Sequence, residues 1–169
     1  AYGFAVANLS SSGKGEALAQ ELGGVGVTGS NQSNVDVKRI VDAAMARFGR
    51  IDVLVNSAGH GPRAPLLDIT DEGWHQGIDI YFLSAVRPIR FVTPIMEAQG
   101  TGGSIINIAS ITAHRTQFMT TAYCVSKAGV DHLTRHMALE NARYGIRVNA
   151  LLPGTIHTPF VDRYLRDSY

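Results

Sequence analysis

Two short apolar runs, "IDVLVN" from Ile51 to Asn56 and "SIINIA" from Ser104 to Ala109, constrain this chain more than any other feature. Each is long enough for one strand and too short for a helix, and neither alternates strictly between polar and apolar residues. A strand that is apolar on both sides must be covered on both sides, which is the condition of a parallel sheet with helices on its two faces. The segments between such strands must then supply crossover helices.

The rest of the chain reads that way. A first strand is expected over Gly3 to Asn8, after which Ser12 can cap a helix to about Leu22, and "VGVTG" is short and β-branched enough to be a strand. Ser33 or Asn34 can cap the next helix, in which Val37, Ile40, Val41, Ala44 and Phe48 recur at helical spacing before Gly49 ends it. Thr70 precedes another helix, and helical residues continue through "AVRPIRFVTPIMEAQ", where Pro88 and Pro94 predict a start or a kink. A long helix is expected from Thr121 to Tyr144, stopped by Gly145, then a strand in "IRVNALL", and Thr158 with Pro159 reads as the start of one more helix. Strand and helix alternating in this order predict an α/β fold: a Rossmann-like, doubly wound parallel sheet in three α/β/α layers. Ligands of such sheets lie beyond the carboxyl ends of the strands, so chemistry is expected just after Asn8, Asn56, Ala109 and Leu152.

Composition narrows the partners. Over 169 residues, 15 Lys and Arg offset 14 Asp and Glu without forming a block, so no basic footprint for nucleic acid or an anionic membrane is present. The one cysteine, Cys124, allows no internal disulfide, and no charged-then-apolar leader or long apolar run is seen. A cytoplasmic location is the expectation. The chain does not begin with Met and enters a strand almost at once, which suggests a beginning cut from something longer.

"GVGVTG", Gly24 to Gly29, matches the G-x-G-x-x-G pattern of a pyrophosphate-binding loop. That loop needs a strand before its first glycine and a helix opening at its last. Here the helical "EALAQEL" comes first, so these glycines belong to a helix-to-strand turn and to the strand itself.

The stretch "TTAYCVSKAG" carries more chemistry. Tyr123 and Lys127 stand four apart on a helix, so their side chains share a face and can converge on one ligand. A phenol is a poor acid-base catalyst near neutral pH, and an adjacent ammonium favours its phenolate. Thirteen residues before Tyr123, Ser110 ends the buried strand where a ligand in the crevice would meet its hydroxyl. "NSAG", Asn56 to Gly59, ends the other buried strand with small residues that let a flat ligand approach the backbone.

With these motifs in order, the chain resembles the short-chain dehydrogenase/reductase family. "LVNSAG" is similar to that family's N-N-A-G element, "SIINIAS" to its serine-bearing strand, "YCVSK" to its Y-x-x-x-K and "RVNALLPGTIHTP" to its P-G-x-I-x-T segment. The resemblance covers essentially the whole chain and implies one NAD(P)-binding domain over residues 1–169, incomplete at both ends. It implies hydride exchange between a nicotinamide and a carbonyl or alcohol carbon of a small-molecule substrate. Tyr123 would act as general acid or base, Lys127 would favour its phenolate and bond the nicotinamide ribose, and Ser110 would orient the substrate oxygen. Asn56, Ala58 and Gly59 would lie along the adenosine side, and Pro153, Gly154, Ile156 and Thr158 would hold the nicotinamide end. The family also implies a homodimer or homotetramer through two long helices, here about Phe82 to Gln99 and Thr121 to Tyr144.

Three departures from the family pattern bear on these roles. The family's first strand and its T-G-x-x-x-G-x-G loop are not in this sequence, nor are its seventh strand and much of its substrate lid; without the first strand the sheet would have a gap. Tyr81 stands where the family usually has a catalytic Asn that supports a proton relay to the lysine, and a tyrosine could replace it only with different geometry. Ser30 stands where an Asp often faces adenine. Cofactor preference is set at the end of the strand holding Asn8, where "ANLSSSGK" offers Asn8, Ser10 and Lys14 in place of an acidic residue and leans towards NADP(H) over NAD(H). A rival from another class is a non-catalytic nucleotide-binding or assembly protein of the same fold.

The remaining candidates have plainer readings. His132 and His136 are four apart but lack the glutamate of H-E-x-x-H and an evident third ligand, so no metal site is expected. Cys124 reads as a buried small side chain, and Trp74 as a packing residue. Ser110 with His114 lacks the G-x-S-x-G elbow of a hydrolase. Ile111, His114, Phe118, Met119 and Phe160 are expected around the substrate, as mixed apolar and polar neighbours that name no single compound.

Overall fold

In the computed structural model, which describes residues 3–158 and residue 161, β1 (Ala7–Ser10) leads through α1 (Lys14–Glu21) to β2 (Val25–Thr28), and α2 (Asn34–Phe48) leads to β3 (Val53–Asn56). Next, α3 (Asp71–Ile78) runs into a π-helical segment (Asp79–Leu83) and α4 (Ser84–Gln99), followed by β4 (Gly103–Ile108), α5 (Thr121–Asn141) and β5 (Ile146–Leu151). Single 3-10 turns, Ile111–Ala113 and Ala142–Tyr144, flank α5. All pairings are parallel, in two sheets: β1–β2 and β3–β4–β5. The α/β class expected from the alternation is the one observed.

Local chemistry explains the best-defined helix. Ser33 has extended backbone and its hydroxyl accepts from the Asp36 N–H at 3.2 Å, while Gly49 closes α2 in the left-handed region at φ 72°. Cap and stop stand where the sequence puts them. Pro88 and Pro94 behave differently from expectation: both lie inside α4, and the irregular turn falls upstream in the π segment. Burial of Ile89, Val92 and Met96 holds α4 together through the two missing N–H donors.

Strand parity assigns the layers. In β2 a Cβ on Gly26 would fall 2.5 Å from the Glu16 Cα of α1, so glycine is what allows this helix to lie against the sheet. One residue beyond the strand and on the opposite parity, Gly29 faces Asp36 of α2, so α1 and α2 cover opposite faces of β1–β2. This is also why the Gly24 to Gly29 pattern exists: it serves helix–strand packing between α1, β2 and α2. In the second sheet Leu54, Ile105 and Val148 form one row across β3, β4 and β5 and pack with Val41, Ile89, Val92, Met96 and Ile146 beneath α2, α4 and α5.

Two expectations are corrected here. The opening strand does not span Gly3 to Asn8; its paired residues are Ala7–Ser10, set by register against Val25–Thr28, so its carboxyl end is Ser10. Helices on both faces of β3–β4–β5 were expected, yet Val53, Val55 and Leu151, on the face opposite Leu54 and Ile105, are exposed. Among the described residues the helices packed on this sheet lie on one face. The helix expected from Thr158 and Pro159 falls largely outside the described residues. Among those described, no helix is long and apolar enough to cross a membrane.

Candidate active site

The carboxyl ends of β3, β4 and β5 meet at one edge, as parallel pairing requires. At the end of β4, Ser110 has extended backbone and is 6% exposed, and its Oγ accepts from the Thr112 N–H at 3.2 Å. That contact uses one lone pair and leaves the hydroxyl proton free to donate to a substrate oxygen. The loop after β5 is tied to the same place: Ile111 N–H donates to the Pro153 carbonyl at 3.0 Å. Pro153 therefore borders the Ser110 turn, and beyond it Gly154 and Ile156 are exposed and Thr158 is partly exposed.

Tyr123 and Lys127 lie on the first turns of α5, on the face turned to these strand ends. Lys127 is 7% exposed, its Nζ donates to the Ile108 carbonyl at 2.6 Å, and it sits 5.8 Å from the centre of the Tyr123 ring. Burial pushes the ammonium down to about 8 from its ordinary 10.5. A buried amine is thus placed between the end of β4 and the phenol.

Across the site, Tyr81 projects from the π segment and is 5% exposed. Its ring meets that of Tyr123 edge to face, with centroids 4.9 Å apart and planes at 79°. Its Oη accepts from the Gly61 N–H at 2.6 Å. Burial, opposed by the bond from Gly61, raises its phenol above the ordinary range. After β3, Ala58 and Gly59 are exposed at the mouth, and Gly59 has φ 150°, a conformation few other residues adopt.

Asn56 has a different local partner from the others: its Nδ2 donates to Asn107 Oδ1 at 2.8 Å, and Asn107 Nδ2 donates to Thr134 Oγ1 at 3.0 Å. Asn107 is fully buried and was missed by the sequence reading; the available signal was a polar residue inside an apolar run. Also missed was a clamp on the π segment, where Asp79 receives Arg87 and, at 2.6 Å, Gln32. Burial of Asp79 is outweighed by these two donors, which hold its carboxyl below the usual range. In the β1–β2 half, Asn8 Nδ2 donates to the Gly15 carbonyl at 3.4 Å and Ser10 Oγ accepts from the Ser12 N–H at 3.3 Å, so both face the start of α1. Asp36 accepts from the Ser30 N–H at 3.0 Å, which brings a carboxylate to the place where Ser30 itself offers none.

Among the residues with plainer readings, Cys124 is partly exposed, not buried, with its Sγ 3.2 Å from Thr120 Oγ1 in the first turn of α5. His136 pairs with Glu140 at 2.9 Å, and no group of three His, Cys, Asp or Glu able to hold a metal occurs among the described residues. His114 lies 3.5 Å from Asp131 and links the Ser110 turn to α5. Ile111, Phe118 and Met119 are exposed beside it, and Phe160 lies outside the described residues.

Comparison with known proteins places this geometry. Residues 2–168 match the family model described as enoyl-(acyl carrier protein) reductase. The chain is 39% identical over 131 residues to a Mycobacterium tuberculosis protein named (5R,7aS)-5-hydroxy-7a-methyl-1-oxo-2,3,5,6,7,7a-hexahydro-1H-indene-carboxyl-CoA reductase, covering 78% of this chain and 50% of that one. It is 35% identical over 147 residues to the L-fucose dehydrogenase of Mus musculus, covering 86% of this chain and 53% of the other. A short chain dehydrogenase from Mycobacterium smegmatis superposes with a TM-score of 0.78 at 33% identity, over 86% of this chain and 62% of that one. The chain spans about half the length of the curated relatives it matches.

Proposed function

Because this chain belongs to the short-chain dehydrogenase/reductase family, we propose that it transfers a hydride between NAD(P)(H) and a carbonyl or secondary alcohol, with Tyr123 as the general acid or base. The observation that carries this reading is the approach of Tyr123 and the buried Lys127 to the carboxyl end of β4, which carries Ser110.

The residues present fit a nicotinamide cofactor. On the adenosine side Ala58 and Gly59 leave open backbone after β3, and on the nicotinamide side Pro153 is bonded to the Ser110 turn and Lys127 offers a buried amine with donors to spare beyond its bond to Ile108. When bound, the nicotinamide supplies or accepts the hydride. Ser110 donates its hydroxyl proton to the substrate oxygen and holds it in place. Tyr123 gives its phenolic proton to that oxygen in reduction, or takes it in oxidation. Lys127, in its charged form, favours the phenolate that remains.

At the start of α1, Asn8, Ser10 and the exposed Lys14 present neutral donors and a cation to an adenosine ribose, which supports NADP(H) over NAD(H). Titration with the two reduced cofactors tests this: NADPH binds tighter, and equal affinities would remove the preference. Assembly through α4 and α5 is supported by the 79% exposed Leu139 and by apolar Val86, Pro94 and Leu133 along the two helices; a monomeric mass in sedimentation would remove that part. The proposal as a whole is tested by Tyr123→Phe. Turnover falls about 1,000-fold or more while cofactor binding persists, and substantial turnover in this variant would overturn the mechanism in favour of the non-catalytic reading.

A further inference from the structure

We propose that Tyr81 is a positioning residue that braces the turn Gly59–Gly61 against the ring of Tyr123, a role that rests on the oxidoreductase reading above. Its ring fills the space between two parts of the site. A Cβ on Gly59 would fall 3.1 Å from Tyr81 Cδ1, and one on Gly61 would fall 3.0 Å from Cε2 and 3.1 Å from Cζ, so both positions are tight against one ring. Oη accepts from the Gly61 N–H at 2.6 Å, which fixes the turn by its backbone as well as by contact. The opposite side of the brace is the edge-to-face contact with Tyr123 at 4.9 Å.

The mount of this ring is itself anchored. Asp79, two residues earlier, takes Gln32 from the loop after β2 at 2.6 Å and Arg87 from α4, and Arg87 also donates to the Asp79 carbonyl at 3.3 Å. These bonds pin the π segment at its first residue, and π turns often mark places where one side chain must be re-aimed. The geometry does not suit a proton relay from Tyr81 to the lysine. The Tyr81 hydroxyl accepts from the Gly61 N–H and Lys127 Nζ donates to the Ile108 carbonyl, and among the described residues no hydrogen bond joins the two side chains. Tyr81 therefore acts through the backbone that faces the cofactor and through the ring of the catalytic phenol.

The test compares Tyr81→Phe with Tyr81→Leu in the full protein, by hydrogen exchange of the Gly61 amide, by cofactor titration and by kinetics. Tyr81→Phe keeps the ring and removes the acceptor: Gly61 exchange speeds up about tenfold, the cofactor KM rises about fivefold to tenfold, and kcat falls less than threefold with the shape of its pH profile kept. Tyr81→Leu removes the ring as well, and kcat then falls about tenfold or more as Tyr123 loses its support. A relay role would give equal collapse of kcat in both variants with an altered pH profile, and that result overturns the proposal. Unchanged Gly61 exchange in Tyr81→Phe overturns it too, even if Tyr81→Leu does not fold. Absence of turnover in the unaltered protein would sink the oxidoreductase reading alone, since exchange and cofactor titration still decide what Tyr81 holds.

Discussion

Asn107, fully buried in β4, joins Asn56 of β3 to Thr134 of α5 through one side-chain amide. Register places Asn56 and Asn107 opposite each other, so the bond spans neighbouring strands at the last residue of β3 and the last but one of β4. A buried amide with both ends engaged is inexpensive to keep and costly to break. Asn107→Leu strands the Asn56 amide and removes the donor to Thr134. The expected loss is about 3 kcal/mol, read as a lower denaturant midpoint at unchanged m-value. A loss below about 0.5 kcal/mol would mean that water replaces the bridge.

The cap on α2 is separable from the site. Ser33→Ala removes the acceptor for Asp36 N–H and is expected to cost about 1 kcal/mol. Cofactor affinity should not follow it. A change in NADPH binding larger than the stability effect would show that the loop carrying Ser30 responds to the helix start.

A pH dependence follows from Asp79. Its carboxyl is held below the usual range although burial opposes this, because Arg87 and Gln32 both donate to it. A depressed carboxylate stabilises the fold above its unfolded value and loses that contribution as pH falls through the folded value. Arg87→Met leaves the half-buried carboxylate with one donor and should cost about 1–2 kcal/mol at pH 7. The gap between the two proteins should close below about pH 4, the ordinary aspartate range. A gap that stays constant down to pH 3 would assign the effect to lost packing of the arginine stem.

Much of the fold was legible because its signals are local. "IDVLVN" and "SIINIA" have no reading but strand, and Ser33 and Gly49 are cap and stop by their own chemistry. Ser110, Tyr123 and Lys127 were legible because one helix turn and one strand end set their positions. What escaped depends on pairs distant in sequence. Asn107 gains its meaning from Asn56, and Asp79 from Gln32 on a different strand-helix unit. The π turn gave no local warning, and the two prolines pointed to the wrong place for the irregularity.

Lys127 ties the chemistry to stability, and the sign can be worked out. Burial lowers its folded value to about 8, against 10.5 for the free side chain. Below pH 8 both folded and unfolded chains carry the proton, and the fold bears the full cost of a buried charge, about 3 kcal/mol before the bond to Ile108 offsets part of it. Between pH 8 and 10.5 the unfolded chain still holds a proton that the folded chain has released, so stability rises with pH across that window. Lys127→Met removes the charge and strands only the Ile108 carbonyl. It is therefore expected to be more stable than the parent at pH 7, by about 1–2 kcal/mol, with the advantage shrinking by pH 9.5. Denaturant midpoints of both proteins at the two pH values measure this. An equal difference at both would show that Lys127 keeps an ordinary affinity for its proton inside the fold. Its value to the site would then be as a fixed positive charge beside Tyr123 at every pH tested.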